Sequence, residues 1–177
     1  MVQLPAISYS VLVSTRHLLT FEVAAKRLAL SSECVHEVVR AVAIAALPKA
    51  PPVVEGVINL RGTLVPVLDL RQRFTLPSAQ LAPEQHLIIA QAGTRLVALR
   101  VDRALDLVVV DEDAIESAAR IAPGTEYVAG IAKLADGLLV IHDLERFLSL
   151  DEGARVDAAL AGAAPRGATP VSRGGGQ

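Results

Sequence analysis

Four places in this chain bring together side chains that do chemistry elsewhere. Cys34 and His36, in "ECVHEV", stand two apart, and strand geometry would put both on one face. Such a pair could be two metal ligands, or a nucleophile with its base. His142 directly precedes Asp143, and the run "DEDAIE" (111–116) gathers acids as a cation site would. The fourth place is Arg61-Gly62, inside "GVINLRGTLVPVLDL" (56–70). There an alternating apolar pattern predicts two strands, with an arginine at the turn between them.

The first three lack the partners their chemistry needs. There is one cysteine in the chain, no histidine pair at helical spacing, and no oxyanion signature. No Gly-x-Ser-x-Gly accompanies His142. The acidic run lacks the spacing and glycine of a calcium loop, and "GVINLRG" lacks the lysine-serine ending of a phosphate loop. Cys34 therefore reads as an inert thiol beside a surface histidine. Residues 111–116 read as a solvated turn or helix start with Ile115 as a local anchor. The expectation is no catalysis, no metal and no cofactor.

The frame that positions Arg61 has to come from the rest of the chain. Of 177 residues, 52% are apolar but only 3% aromatic, so Val, Leu, Ile and Ala must build the core. A net charge of −2 and the scarcity of aromatics speak against nucleic acid as a partner. The lone cysteine excludes an internal disulfide and fits a reducing compartment. The first residues lack a basic n-region. Charges or prolines interrupt every apolar run before the roughly 18 residues of a membrane span. A soluble, cytoplasmic protein without direct membrane insertion is expected. From residue 151 the chain becomes rich in Ala, Gly and Pro. Residues 151–161 could form a frayed helix, and 151–177 as a whole reads as a disordered tail after a domain of residues 1–150.

Within that domain the sequence repeats. "HLLTFEVAAKRLALSSECVHEVV" from His17 lies without gaps over "HLIIAQAGTRLVALRVDRALDLV" from His86, an offset of 86 − 17 = 69. "GVINLRGTLVPVLDLRQRF" from Gly56 lies over "GIAKLADGLLVIHDLERFL" from Gly130, an offset of 130 − 56 = 74. Gly56/Gly130, Leu60/Leu134, Asp69/Asp143 and Leu70/Leu144 coincide, and two ordered blocks with similar offsets mark a duplicated unit. Matching His17 and His86 suggest a shared structural role at a strand end.

Each half predicts about five short strands, with turns every eight to twelve residues. That spacing points to an all-β fold of two small SH3-like barrels. The first would cover about 17–79 and the second 80–150, with a Pro- and Ser-containing linker at 75–85. Both halves end in Asp-Leu-x-x, so Asp69 and Asp143 are candidate caps of short helical turns. Gly62 is expected to supply a positive φ at its hairpin turn. Arg61 could pin that turn to backbone carbonyls or to Asp69, or present its planar fork to a carboxylate on a partner.

The hairpin carries a further signal. "PVVEGVINLRGTLVPVLDLRQRF", with "VHEVVR", "LPKAPP", "VALRVD" and "GIAKLADGLLVIHDLERFL", resembles the CheW family of bacterial chemotaxis coupling proteins from about His17 to Leu148. The family usually has glycine where Lys49 and Ala98 stand, and a small or aromatic residue where Val53 stands. The resemblance implies two intertwined five-stranded barrels and a non-catalytic adaptor. It would bridge the cytoplasmic tips of methyl-accepting chemoreceptors to the regulatory domain of the histidine kinase CheA, at membrane-associated arrays. By matching motif positions it places Val35, Val38, Val39, Ile58, Leu60, Arg61 and Gly62 near partner-facing surfaces. The alternatives are a coupling protein of another chemosensory array, such as one for twitching motility, and a small-barrel module for nucleic acid or a ligand.

Overall fold

The alternating apolar runs fold as strands. The computed structural model describes residues 14–117 and 126–163. Its strands are β1 (Thr15–Val23), β2 (Lys26–Ser31), β3 (Val35–Arg40), β4 (Val54–Leu60), β5 (Thr63–Asp69), β6 (His86–Ala92), β7 (Arg95–Val101), β8 (Arg103–Asp111), β9 (Ile115–Ser117), β10 (Val128–Leu134) and β11 (Gly137–His142). A short helix α1 (Leu70–Arg73) follows β5, and α2 (Leu150–Ala163) ends the described chain.

Each sheet draws strands from both halves of the duplication. One runs β8-β1-β2-β11-β10-β9 and the other β3-β6-β7-β5-β4. The hairpin β1–β2 thus joins strands of the second half, and β6–β7 joins strands of the first. The joins are parallel, β2 to β11 and β5 to β7, while the ladders β1–β2, β4–β5, β6–β7 and β10–β11 are antiparallel. The result is a pair of intertwined SH3-like barrels, one carrying the three-residue β9 as a sixth strand.

Three apolar clusters hold this arrangement. Leu18, Ala29, Val110, Ala132, Leu139 and Ile141 fill the six-stranded barrel, and Ile58, Val65, Val67, Leu87, Ile89 and Ala98 fill the five-stranded one. The largest cluster joins outer faces of the two sheets, with Leu19, Phe21, Leu28 and Leu30 of one against Ile88, Val97 and Leu99 of the other. Each fully buried Leu or Phe contributes about 2 kcal/mol. Removing one hairpin would therefore break two cores.

The glycines that match between halves have one physical reason. Both Gly56 and Gly130 sit at a register shift where another segment crosses the strand. A Cβ on Gly56 would run into the Ala45 carbonyl, and one on Gly130 would lie 2.8 Å from the Glu116 carbonyl oxygen. Lys49 adopts φ of 67°, the left-handed conformation that glycine takes most easily.

Both helical turns are capped as their sequences suggest. The Asp69 carboxylate accepts from Arg71 N–H at 2.9 Å, and Asp143 accepts from Glu145 N–H at 3.1 Å. The expected frayed helix at 151–161 is instead packed. Val156 and Ala159 of α2 are buried in the inter-barrel cluster. Arg73 and Arg95 grip Glu152 and Asp157, at 2.8 and 2.5 Å. The rest of the expected tail, 164–177, lies outside the described residues.

Candidate functional site

Arg61 and Gly62 form the two-residue loop of the β4–β5 hairpin, with Leu60 paired to Thr63. Both have positive φ, 50° and 90°, the type I′ pattern whose twist suits a tight hairpin. The Asn59 side-chain oxygen accepts from Gly62 N–H at 2.8 Å and fixes the loop. From this apex the Arg61 fork reaches Glu37 of β3, donating from Nη1 and Nη2 to the two carboxylate oxygens at 2.9 Å each. The partner is neither Asp69 nor a carbonyl. Asp69 belongs instead to Arg100, which lies 3.4 Å away and also pairs with Glu55 at 2.7 Å.

This fork crosses a seam. β3 and β4 are the two edges of the five-stranded sheet, and among the described residues the Ala45–Val57 bridge is the nearby backbone pairing that draws their ends together. The Arg61–Glu37 pair lies at the barrel mouth, beside a cleft lined by His36, Leu60, Thr63, Ile89 and Leu96. The Arg61 side chain is nevertheless 79% exposed.

A second surface lies between the barrels. Val38 is opposite Ile88 in the β3–β6 ladder, so both point toward the inter-barrel core, and Val38 stays 37% exposed at its margin. Leu107 of β8 is opposite Leu19, another member of that core, and is 66% exposed. Val109, opposite His17, is 59% exposed. The two edge strands β3 and β8 therefore present apolar side chains on either side of one core. Leu107 and Val109 were absent from the sequence-derived residues, although the offset of 69 maps Val38 onto Leu107 and would have found it.

The remaining expected positions separate by burial. Ile58 is 5% exposed inside the five-stranded barrel, so it is core and offers no surface. Val39 and Leu60 are half-buried against that same interior, and Val35 against the inter-barrel core. Val38, Arg61 and Gly62 are the exposed ones.

The other chemistry-bearing residues do not converge. Cys34 lies in a 3-10 turn ahead of β3, so it does not share a strand face with His36. Its thiol donates to the Ser31 carbonyl at 2.9 Å, and burial pushes its pKa up, which keeps it protonated. His142 packs against Phe74 and Phe147 with ring centroids 4.9 and 5.6 Å away. Its Nδ1 lies 3.1 Å from the Tyr127 carbonyl, and burial lowers its pKa to about 4, so the ring is neutral. With Nδ1–H donating there, the imidazole is a stacked core group. His86, opposite Arg40, is also held below its ordinary pKa, by burial and by that cation. The run 111–116 becomes the end of β8, a 3-10 turn and the start of β9. Among the described residues no group of three or more His, Cys, Asp or Glu could hold a metal ion, and no helix is long and apolar enough to cross a membrane.

Comparison with known proteins places this geometry. Residues 17–152 match the family model described as a CheW-like domain. The chain is 32% identical over 116 residues to the chemotaxis protein CheW of Klebsiella aerogenes, covering 64% of this chain and 70% of that protein. It is 26% identical over 141 residues to the chemotaxis protein CheW of Treponema pallidum, covering 76% and 83%. Among solved structures, the scaffolding protein TtCheW from Thermoanaerobacter tengcongensis superposes with a TM-score of 0.72 at 31% identity, over 78% of this chain and 96% of that one.

Proposed function

The chain belongs to the family of CheW-like domains, and from that premise we propose that it is a non-catalytic chemotaxis adaptor. It couples methyl-accepting chemoreceptors to the histidine kinase CheA through protein–protein contacts alone, at receptor arrays on the membrane. The observation that carries this reading is the pair of apolar edge strands. Val38 on one barrel and Leu107 and Val109 on the other flank a single inter-barrel core. A two-sided apolar rim of that kind suits an amphipathic helix, which lays its own apolar face between the walls. The receptor's helical tip is the occupant in this reading.

The kinase contact is of a different kind. The regulatory domain of CheA is taken to share this fold, so one barrel of the adaptor meets one barrel of the kinase. Such a heterologous contact can propagate into rings. The mouth of the five-stranded barrel, with the exposed Arg61 fork, is a surface suited to it.

The test is a pull-down of the full chain against a receptor cytoplasmic fragment and, separately, a CheA regulatory domain. Capture of both is expected, with affinities on the order of tens of micromolar or tighter. Leu107→Asp should abolish capture of the receptor fragment, because it places a charge in the apolar rim. Capture of neither partner by the unaltered chain overturns the reading.

A further inference from the structure

The inter-barrel core is apolar, and apolar contact by itself is non-directional. A set of polar contacts reaching from α1 also spans the two barrels. Asp102 stands between β7 of the five-stranded sheet and β8 of the six-stranded sheet, where the chain passes from one barrel to the other. Its carboxylate accepts from Arg71 Nη2 of α1, with oxygens at 2.9 and 2.7 Å. It also accepts from Ala24 N–H in the β1–β2 turn at 2.7 Å, and from Gln85 Nε2 ahead of β6 at 3.3 Å. The Asp102 N–H in turn donates to the Glu22 carbonyl at 2.8 Å. One side chain thus joins both barrels and the linker. Burial opposes its charge, yet these donors together hold the carboxyl below its usual range.

Arg73 leaves α1 two residues later, on a different side of the turn. It donates to the Tyr127 hydroxyl at 3.0 Å, and to Glu152 of α2 at 2.8 Å. In the equivalent turn of the second half the offset of 74 puts Glu145 and Phe147 where Arg71 and Arg73 stand, and Arg146 pairs with Asp143 within that turn at 3.0 Å.

We propose that Asp102 and Arg71 form a clasp that sets the angle between the barrels and so holds the groove between β3 and β8 at the width a partner helix requires. The proposal rests on the groove reading above. Both are positioning residues and touch no partner themselves. Charge-assisted bonds from three segments fix direction as well as distance, which the apolar core does not. A helix between the barrels feels that angle, whereas a contact made by one barrel does not. Loosening the clasp should therefore separate the two partners: receptor binding falls and kinase binding stays.

The test uses the full chain. Asp102→Asn preserves shape and an acceptor for Ala24 N–H but removes the charge that Arg71 grips. Arg71→Gln breaks the clasp from the other side, and Arg71→Lys keeps a cation there. Circular dichroism reports the fold. Spin labels on Thr94→Cys and Asp113→Cys, in a Cys34→Ser background, report the distance between barrels. Asp102→Asn and Arg71→Gln should broaden that distribution. If the competent fraction drops to about a tenth, affinity for the receptor fragment drops about tenfold. Binding of the kinase domain should hold, and Arg71→Lys should recover most of the receptor affinity. If Asp102→Asn does not fold, the two Arg71 variants carry the test. Folded variants with an unchanged distribution, or with equal losses for both partners, overturn the proposal. If the unaltered chain binds no receptor fragment, the groove reading fails instead, and the label distances still decide whether the clasp orders the barrels.

Discussion

The hairpins β4–β5 and β10–β11 occupy matching places in the duplicated plan, yet their turns are wired differently. In the first, Arg61 reaches across the seam to Glu37 on the far edge strand. In the second, Ala135 stands where the arginine would be, and the next residue, Asp136, takes Arg27 of β2 at 2.6 Å. Since β2 and β11 are already hydrogen-bonded neighbours, that pair closes nothing. What the halves share is what the backbone demands, the glycines at the crossings and the aspartate caps. What differs is charge placement at exposed ends, which the fold leaves free and a partner can use.

The shared part can be broken hardest. Gly56→Ala should cost about 4 kcal/mol, because the added methyl meets the Ala45 backbone, which is held by its bridge to Val57. Gly130→Ala should cost less, about 2 kcal/mol, since its Cβ would meet Glu116 and Ile115 at 2.8 and 2.9 Å. Urea unfolding of both variants checks the order. Equal costs would show that the two crossings do not differ in tightness.

A second difference is proton-linked. The offset of 74 sets His142 over Leu68, and both are buried. The folded pKa of His142, about 4, lies below its ordinary 6.5, so between those values the unfolded chain binds a proton that the folded chain does not. Its contribution is intact above pH 6.5 and is lost as the pH falls through about 4. The full loss is about 3 kcal/mol. His142→Leu, which copies the first half, should flatten this dependence, measured as the variant-minus-parent difference in urea unfolding between pH 7 and pH 4. Asp102 and Glu152 also lose stabilising charge in acid, but both chains share them and the difference cancels them. A difference that does not change with pH would place the proton uptake elsewhere.

Much of this was legible before the fold. Gapless repeats located the equivalent glycines and aspartates, and alternation located the strands, because both are local properties of the chain. That the barrels intertwine came only from the family resemblance, and the exchange of hairpins β1–β2 and β6–β7 between sheets was not foreseen, since alternation says which face a residue takes and not which strand it pairs with. Glu37 as the partner of Arg61 was missed because the seam brings together residues 24 positions apart. Ile58 was placed near a partner by its motif position, but three residues before the Arg61-Gly62 turn the strand points inward. In α2, small residues suggested too little apolar surface to order a helix. Val156, Ala159 and two ion pairs from the barrel supply what composition could not reveal.

The smallest predicted effect on stability bears on the sharpest difference between the hairpins. An ion pair this exposed stabilises a fold by about 0.5 kcal/mol, so Arg61→Ala and Glu37→Gln should each unfold close to the parent. Local behaviour should differ more. If the fork closes the barrel mouth, amide hydrogens of β3 near Glu37 exchange faster in either variant, while those of β8 keep their rate. The double variant should match the single ones, because each already removes the same contact. Unchanged exchange in β3 would mean the fork does not close the seam. The exposed guanidinium would then be held by Glu37 in a fixed orientation for a partner, and the loss on substitution should appear in kinase capture alone.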